Sequence, residues 1–218
     1  MMERTIDHQL AEVKQDILNM GIQAELALKS AISGLLSLNE DLLKKVHEHE
    51  ALINDYQVKI DNSCMMILAQ QGPVAKDLRM ILSIIKMNTD IERMGDQSVN
   101  IAHLAKDIIH RNYKISFGDI EKMSIIAGKM MNLSLESFVK LDTVMAENVL
   151  KMDDEVDQFK RDIFKINIQN IKHDINGTET FLDLILVSRN LERIGDHSTN
   201  IAEDVIFAMS GKDIRHGF

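Results

Sequence analysis

Two segments of this chain are near-copies of each other. DIERMGDQSVNIA, residues 90–102, and NLERIGDHSTNIA, residues 190–202, agree at 8 of 13 aligned positions. A chain that repeats itself must fold into two like units, so this feature constrains the architecture more than any other. The repeat also reaches well beyond the motif. Ile120, Met123, Ala127, Met130, Met131, Ser134, Leu135 and Phe138 fall 103 positions after Ile17, Met20, Ala24, Ala27, Leu28, Ala31, Ile32 and Leu35.

Within each copy the apolar residues recur in steps of three and four. Leu10, Val13, Ile17, Met20, Ala24, Ala27, Ala31, Leu35 and Leu38 make one such stripe, the signature of an amphipathic helix about 30 residues and about 45 Å long. Asn39 is placed to cap a second helix whose first turn carries Glu40 and Asp41. Gly72 and Pro73, the latter the single proline of the chain, end that helix. A third follows from about Val74 to Arg111.

The second copy restarts with Ser116 as the expected cap, passes a further cap at Asp142, and breaks again at NGTE, residues 176–179, where Thr178 is the expected cap of the last helix. No strand-like alternation bounded by turns interrupts the pattern. The spacing therefore predicts an all-α protein: two tandem pseudo-symmetric three-helix bundles of six long antiparallel helices, residues 1–112 and 113–218.

Composition excludes several classes of function. A net charge of -9 argues against a nucleic-acid partner, which demands clustered Lys and Arg. No apolar run approaches the roughly 20 residues of a membrane span, and the N-terminus lacks a signal core, so a cytoplasmic protein without membrane insertion is expected. A single cysteine, Cys64, forms no intrachain disulfide and no thiolate zinc cage. The fourteen methionines fall mostly on stripe positions and read as adaptable core filler.

The repeated motif breaks local helix rules. Glu92 and Asp96, like Glu192 and Asp196, stand one turn apart, a repulsion of about 0.2–0.5 kcal/mol, and Gly95 and Gly195 each cost about 1 kcal/mol relative to alanine. Close approach of a neighbouring helix explains the glycines. Asn100 and Asn200 extend each row by another turn. Asp153 and Asp157 repeat the spacing on the fifth helix, with Glu50 and Asn54 as the weaker counterpart on the second.

Packed face to face, these rows offer four to six oxygen ligands, a set suited to a hard cation or several bridged ones. His103 and His197 neighbour the rows as supporting partners. His47 and His49 lie on different helix faces and read as wet surface. A second reading remains open, in which Arg93 and Arg193 simply pair with the acidic rows.

With those residues in view, the chain resembles the PhoU family over essentially its whole length. The carriers are DLRMILSIIKMNTDIERMGDQSVNIA at 77–102, NLERIGDHSTNIAEDVIF at 190–207 and the ending GKDIRH at 211–216. The resemblance implies a homodimer and metal clusters, of iron or zinc first and of magnesium, manganese or calcium as alternatives. It places them on Glu92 with Asp96, Asp153 with Asp157, and Glu192 with Asp196. Glu50 and Asn54 depart from the family pattern, which makes the second half the stronger site. The second half in turn lacks an equivalent of Asp77, Leu78 and Arg79.

The resemblance further implies a negative regulator and signalling adaptor of phosphate transport and phosphate homeostasis. It would stand between a phosphate-transporter ATPase subunit and a sensor histidine kinase. Two alternatives are a carboxylate-bridged di-metal enzyme and a purely structural helical oligomer. Against the enzyme, no glutamate is followed by histidine at the i, i+3 spacing of ferritin-like sites.

Overall fold

The computed structural model describes residues 4–212 and residue 214; Asp213, Arg215 and His216 of the GKDIRH ending lie outside the described residues. Six long helices follow in order: α1 (Thr5–Ser37), α2 (Glu40–Gln71), α3 (Ala75–Arg111), α4 (Gly118–Lys140), α5 (Thr143–His173) and α6 (Thr178–Ser210), with a short 3₁₀ turn at Ile175–Gly177 before α6. No strand occurs among the described residues. The architecture is two pseudo-symmetric antiparallel three-helix bundles, α1–α3 and α4–α6, which meet through α3 on α6 and α1 on α4.

The duplication is visible in the packing. The outer helix α2 buries Leu43, Val46, Ile53, Ile60 and Cys64, and α5 buries Ala146, Val149, Val156, Ile163 and Asn167, position for position 103 residues later. These are narrow stripes, because α2 and α5 touch only their own bundle. The inner helices bury wider faces. Ala24, Ala27 and Ala31 of α1 are inaccessible to solvent, and their small side chains let the neighbouring helices come close. Met20, Met123 and Met130 are likewise inaccessible, as core filler should be.

Caps set the helix ends where local chemistry decides. Asn39 accepts from the Asp41 N–H at 2.9 Å, and Asp142 from those of Val144 and Met145 at 2.9 and 3.0 Å. Gly72 closes α2 with φ +53°. Three expectations need correction. Leu38 does not extend the α1 stripe; it sits just past the helix in the left-handed region and is exposed.

Ser116 does not cap α4, because the helix begins only at Gly118 and the Phe117 carbonyl accepts its first turn. Thr178 does not cap α6 either. Its hydroxyl donates back to Ile175 O at 2.7 Å, within the 3₁₀ turn, while Asp174 caps that turn and accepts from Tyr113 at 2.7 Å.

Gly95 and Gly195 behave differently despite the repeat. A Cβ on Gly95 would lie 2.8 Å from Ile53 Cδ1, so the tip of that α2 side chain occupies the space and would have to shift. At Gly195 the nearest atom would be Val156 Cγ1 at 3.5 Å, an ordinary contact, because valine replaces the longer isoleucine. Close approach therefore explains the first glycine and not the second. Gly195→Ala is accordingly expected to stabilise the protein by up to about 1 kcal/mol, a rise of about 2–4 °C in Tm for a chain of this size. Gly95→Ala should not do so unless Ile53→Val accompanies it; thermal melts of the three variants check this.

Candidate metal centre and the seam between the halves

In the second half, α5 carries Asp153 and Asp157 towards α6, which carries Glu192 and Asp196. The four carboxylates feel one another. Loss of solvation and the repulsion of Glu192, Asp153 and Asp157 push the Asp196 carboxyl up to about 6, with His197 opposing. Asp153 is raised by burial first, then by Asp157, Asp154 and Glu192. Two cations answer part of this charge: Lys160 bonds Glu192, and Arg161 lies 3.2 Å from Asp157.

In the first half, burial and then Asp96 raise the Glu92 carboxyl, and Glu50 adds repulsion from α2. Arg93 stands 3.6 Å from both Glu92 and Asp96. Asn54 donates to Glu50 at 2.7 Å, so that pair is satisfied within its own helix.

Among the described residues, no three Asp, Glu, His or Cys side chains converge closely enough to hold a metal ion in this conformation. The donor set nonetheless fits a hard cation by charge. Asp153, Asp157, Glu192 and Asp196 carry four negative charges and their partners Lys160 and Arg161 two positive ones, which leaves a deficit of two. Carboxylate oxygens are also the ligand type such cations prefer. The ion-pair reading is thus half realised, but through Lys160 and Arg161. Arg193 forms no ion pair among the described residues.

The asparagines do not complete the rows. Asn200 turns away from Asp196 and donates to Asp90 of α3 at 3.0 Å, across the boundary between the halves. Asn100 is exposed and lines an open basin instead. His197 bonds Asp90 at 2.8 Å rather than a row carboxylate, and His103 packs on His47 with ring centroids 5.4 Å apart. His49 is hydrogen-bonded to Gln23 at 2.9 Å, so it is held in place where wet surface is predicted.

The polar seam between α3 and α6 therefore escaped the sequence reading. Asp90 holds His197 and Asn200, Lys86 reaches Asp204 at 3.2 Å, Ser83 donates to Asp204 O at 3.1 Å, and Arg111 binds Asp183 and Glu179. Each partner lies roughly 70 to 120 residues away, beyond any periodic signal.

The fold and the paired rows define a class: a tandem all-helical repeat protein with an acidic seam in each copy. The PhoU domain model matches residues 17–105 and 120–205. The chain belongs to the PhoU family. It is 32% identical over 212 residues to the phosphate-specific transport system accessory protein PhoU homolog 1 of Thermotoga maritima, covering 96% of this chain and 90% of that one. It is 28% identical to the protein of that name, PhoU, from Escherichia coli, with 95% and 86% covered.

The crystal structure of PhoU from Pseudomonas aeruginosa superposes with a TM-score of 0.93 at 30% identity, over 95% of this chain and 100% of that one. That of the phosphate transport system regulatory protein PhoU from Streptococcus pneumoniae gives 0.87 at 23% identity, with 96% and 99% covered, a likeness of fold.

Proposed function

We propose that this protein is an accessory protein of a phosphate-specific transport system: a cytoplasmic, metal-binding regulatory adaptor rather than an enzyme. The observation that carries this reading is end-to-end correspondence with proteins of that name, at a TM-score of 0.93 for one of them. The adaptor holds down the phosphate-starvation response by favouring the inhibited state of a sensor histidine kinase, and restrains uptake through the transporter's ATPase subunit.

Its leverage is differential affinity. A partner bound equally well in both of its states would not respond at all. Exposed apolar side chains on the outer helix, among them Leu52, Val58, Met65 and Met66, offer contact surface for such partners. No helix among the described residues is long and apolar enough to cross a membrane, so membrane association would come through the partners.

The chain works as two units, residues 1–112 and 113–218, in a homodimer. Asp153, Asp157, Glu192 and Asp196 hold an iron or zinc ion, or another divalent cation, once Lys160 and Arg161 swing aside. When bound, the ion supplies fixed positive charge that ties α5 to α6. Glu50, Asn54, Glu92 and Asp96 form the weaker site.

Pull-down of the tagged protein from phosphate-fed cells tests the adaptor role. Recovery of the ATPase subunit or the kinase is expected, with recovery changing on phosphate starvation. Absence of both partners under both conditions contradicts it.

A further inference from the structure

The repeat makes each polar contact on one side of the α3–α6 seam comparable with its counterpart on the other. On one side Asn200, His197, Lys86 and Arg93 are answered from within the protein. Asp90 takes Asn200 and His197, Lys86 takes Asp204, and Arg93 lies between Glu92 and Asp96. One hundred positions away Asn190 stands for Asp90, Leu104 for Asp204, His103 for Glu203 and Leu186 for Lys86, while Glu192 and Asp196 keep the places of Glu92 and Asp96. Two arginines stand there as well.

Arg193 keeps the place of Arg93, and Arg189 replaces Thr89. Glu192, which the symmetry would give to Arg193, is bonded to Lys160 instead. Arg189 and Arg193 are thus one turn apart on α6, two like charges with no ion-pair partner within 4 Å among the described residues. They line an open basin of about 290 Å³ with Asn100, Asn190 and His103, and no carboxylate lines it. Gln97, the counterpart of His197, is 6% exposed with its Oε1 unpartnered.

We propose that this basin binds a phosphoryl group between Arg189 and Arg193. Two guanidinium groups balance a dianion, whereas a carboxylate would leave one of them uncompensated. Their planar N–H forks, five donors each, also match the several acceptor oxygens of a phosphoryl group better than the two of a carboxylate. In a chain of net charge -9 two arginines with no carboxylate beside them in the lining direct an anion to this basin and away from the acidic rows. The inference needs neither a bound metal nor an adaptor role, and metal-free protein tests it separately from both.

Calorimetric titration of the full, chelator-stripped chain at low ionic strength uses three probes: inorganic phosphate, O-phosphoserine and acetate. Saturable binding of a phosphoryl probe is expected at about 1 mM or tighter, with acetate at least about tenfold weaker. Arg189→Gln and Arg193→Gln should each weaken it about tenfold or more, and Lys151→Gln, on the exposed face of α5, should not.

Asn190→Asp, which restores the first copy's carboxylate, should abolish binding with the circular dichroism unchanged; it is the test that survives if an arginine variant fails to fold. Binding of inorganic phosphate assigns the site to the free anion, and binding of phosphoserine alone to a phosphorylated partner. Absence of saturable binding by both, equal binding of acetate, or binding indifferent to Arg189, Arg193 and Asn190 overturns the proposal.

Discussion

Replacing Arg111 by methionine is expected to cost about 3 kcal/mol of stability, among the largest losses available from one side chain outside the apolar core. Arg111 ends α3 and binds Asp183 and Glu179 of α6, so it fastens one half to the other. The Asp183 side chain is 12% exposed, and its carboxyl is already raised by burial although Arg111 opposes the shift. Without the guanidinium a buried charge stands uncompensated.

The sign of the pH dependence follows. A carboxyl whose folded pKa is raised favours the folded state when protonated, so the variant's deficit is full above that pKa and shrinks as pH falls through it. Asp183→Asn in the same chain should recover part of the loss at neutral pH. Urea unfolding of the three proteins at pH 5 and pH 7.5 measures both effects, and a deficit independent of pH would mean that Arg111 acts through packing alone.

The second large effect concerns metal. Changing Asp153, Asp157, Glu192 and Asp196 together to asparagine and glutamine should abolish stoichiometric metal while leaving the helices intact, because none of the four lies in the apolar core. For the wild type, saturating metal at about a thousand times its Kd should add about 4 kcal/mol of stability. The quadruple variant should gain nothing from metal and, relieved of like-charge repulsion, should match or exceed the metal-free wild type. Melting curves with and without a chelator read both.

What the sequence makes legible here is what helices encode locally. The three-and-four spacing, the caps at Asn39 and Asp142 and the stop at Gly72 all lie within a few residues of their cause. Duplication supplies the rest of the fold, since one solution must serve twice. The failures share a different cause.

Thr178 has the chemistry of a cap, yet the connection after α5 spends an extra 3₁₀ turn, tied down by Tyr113 from another segment, and Ser116 falls before the Phe117 position at which α4 is capped. Asn200 has the spacing of a ligand, but its partner Asp90 belongs to the other half. Lys160 takes Glu192 from a neighbouring helix, 32 residues away. Periodicity shows which face a residue occupies and not what stands opposite.

Gly195 adds a subtler case, where two identical residues at equivalent positions are explained differently because one methyl group separates Val156 from Ile53.

The central claim is that the carboxylates of α5 and α6 close around a cation, and anomalous diffraction tests it most directly. Crystals of protein purified without chelator should be measured at the iron and zinc absorption edges. The account predicts an anomalous peak among Asp153, Asp157, Glu192 and Asp196, with Lys160 displaced from Glu192. No peak at either edge, with Lys160 still on Glu192 and Arg161 still on Asp157 after soaking in each metal, would contradict it.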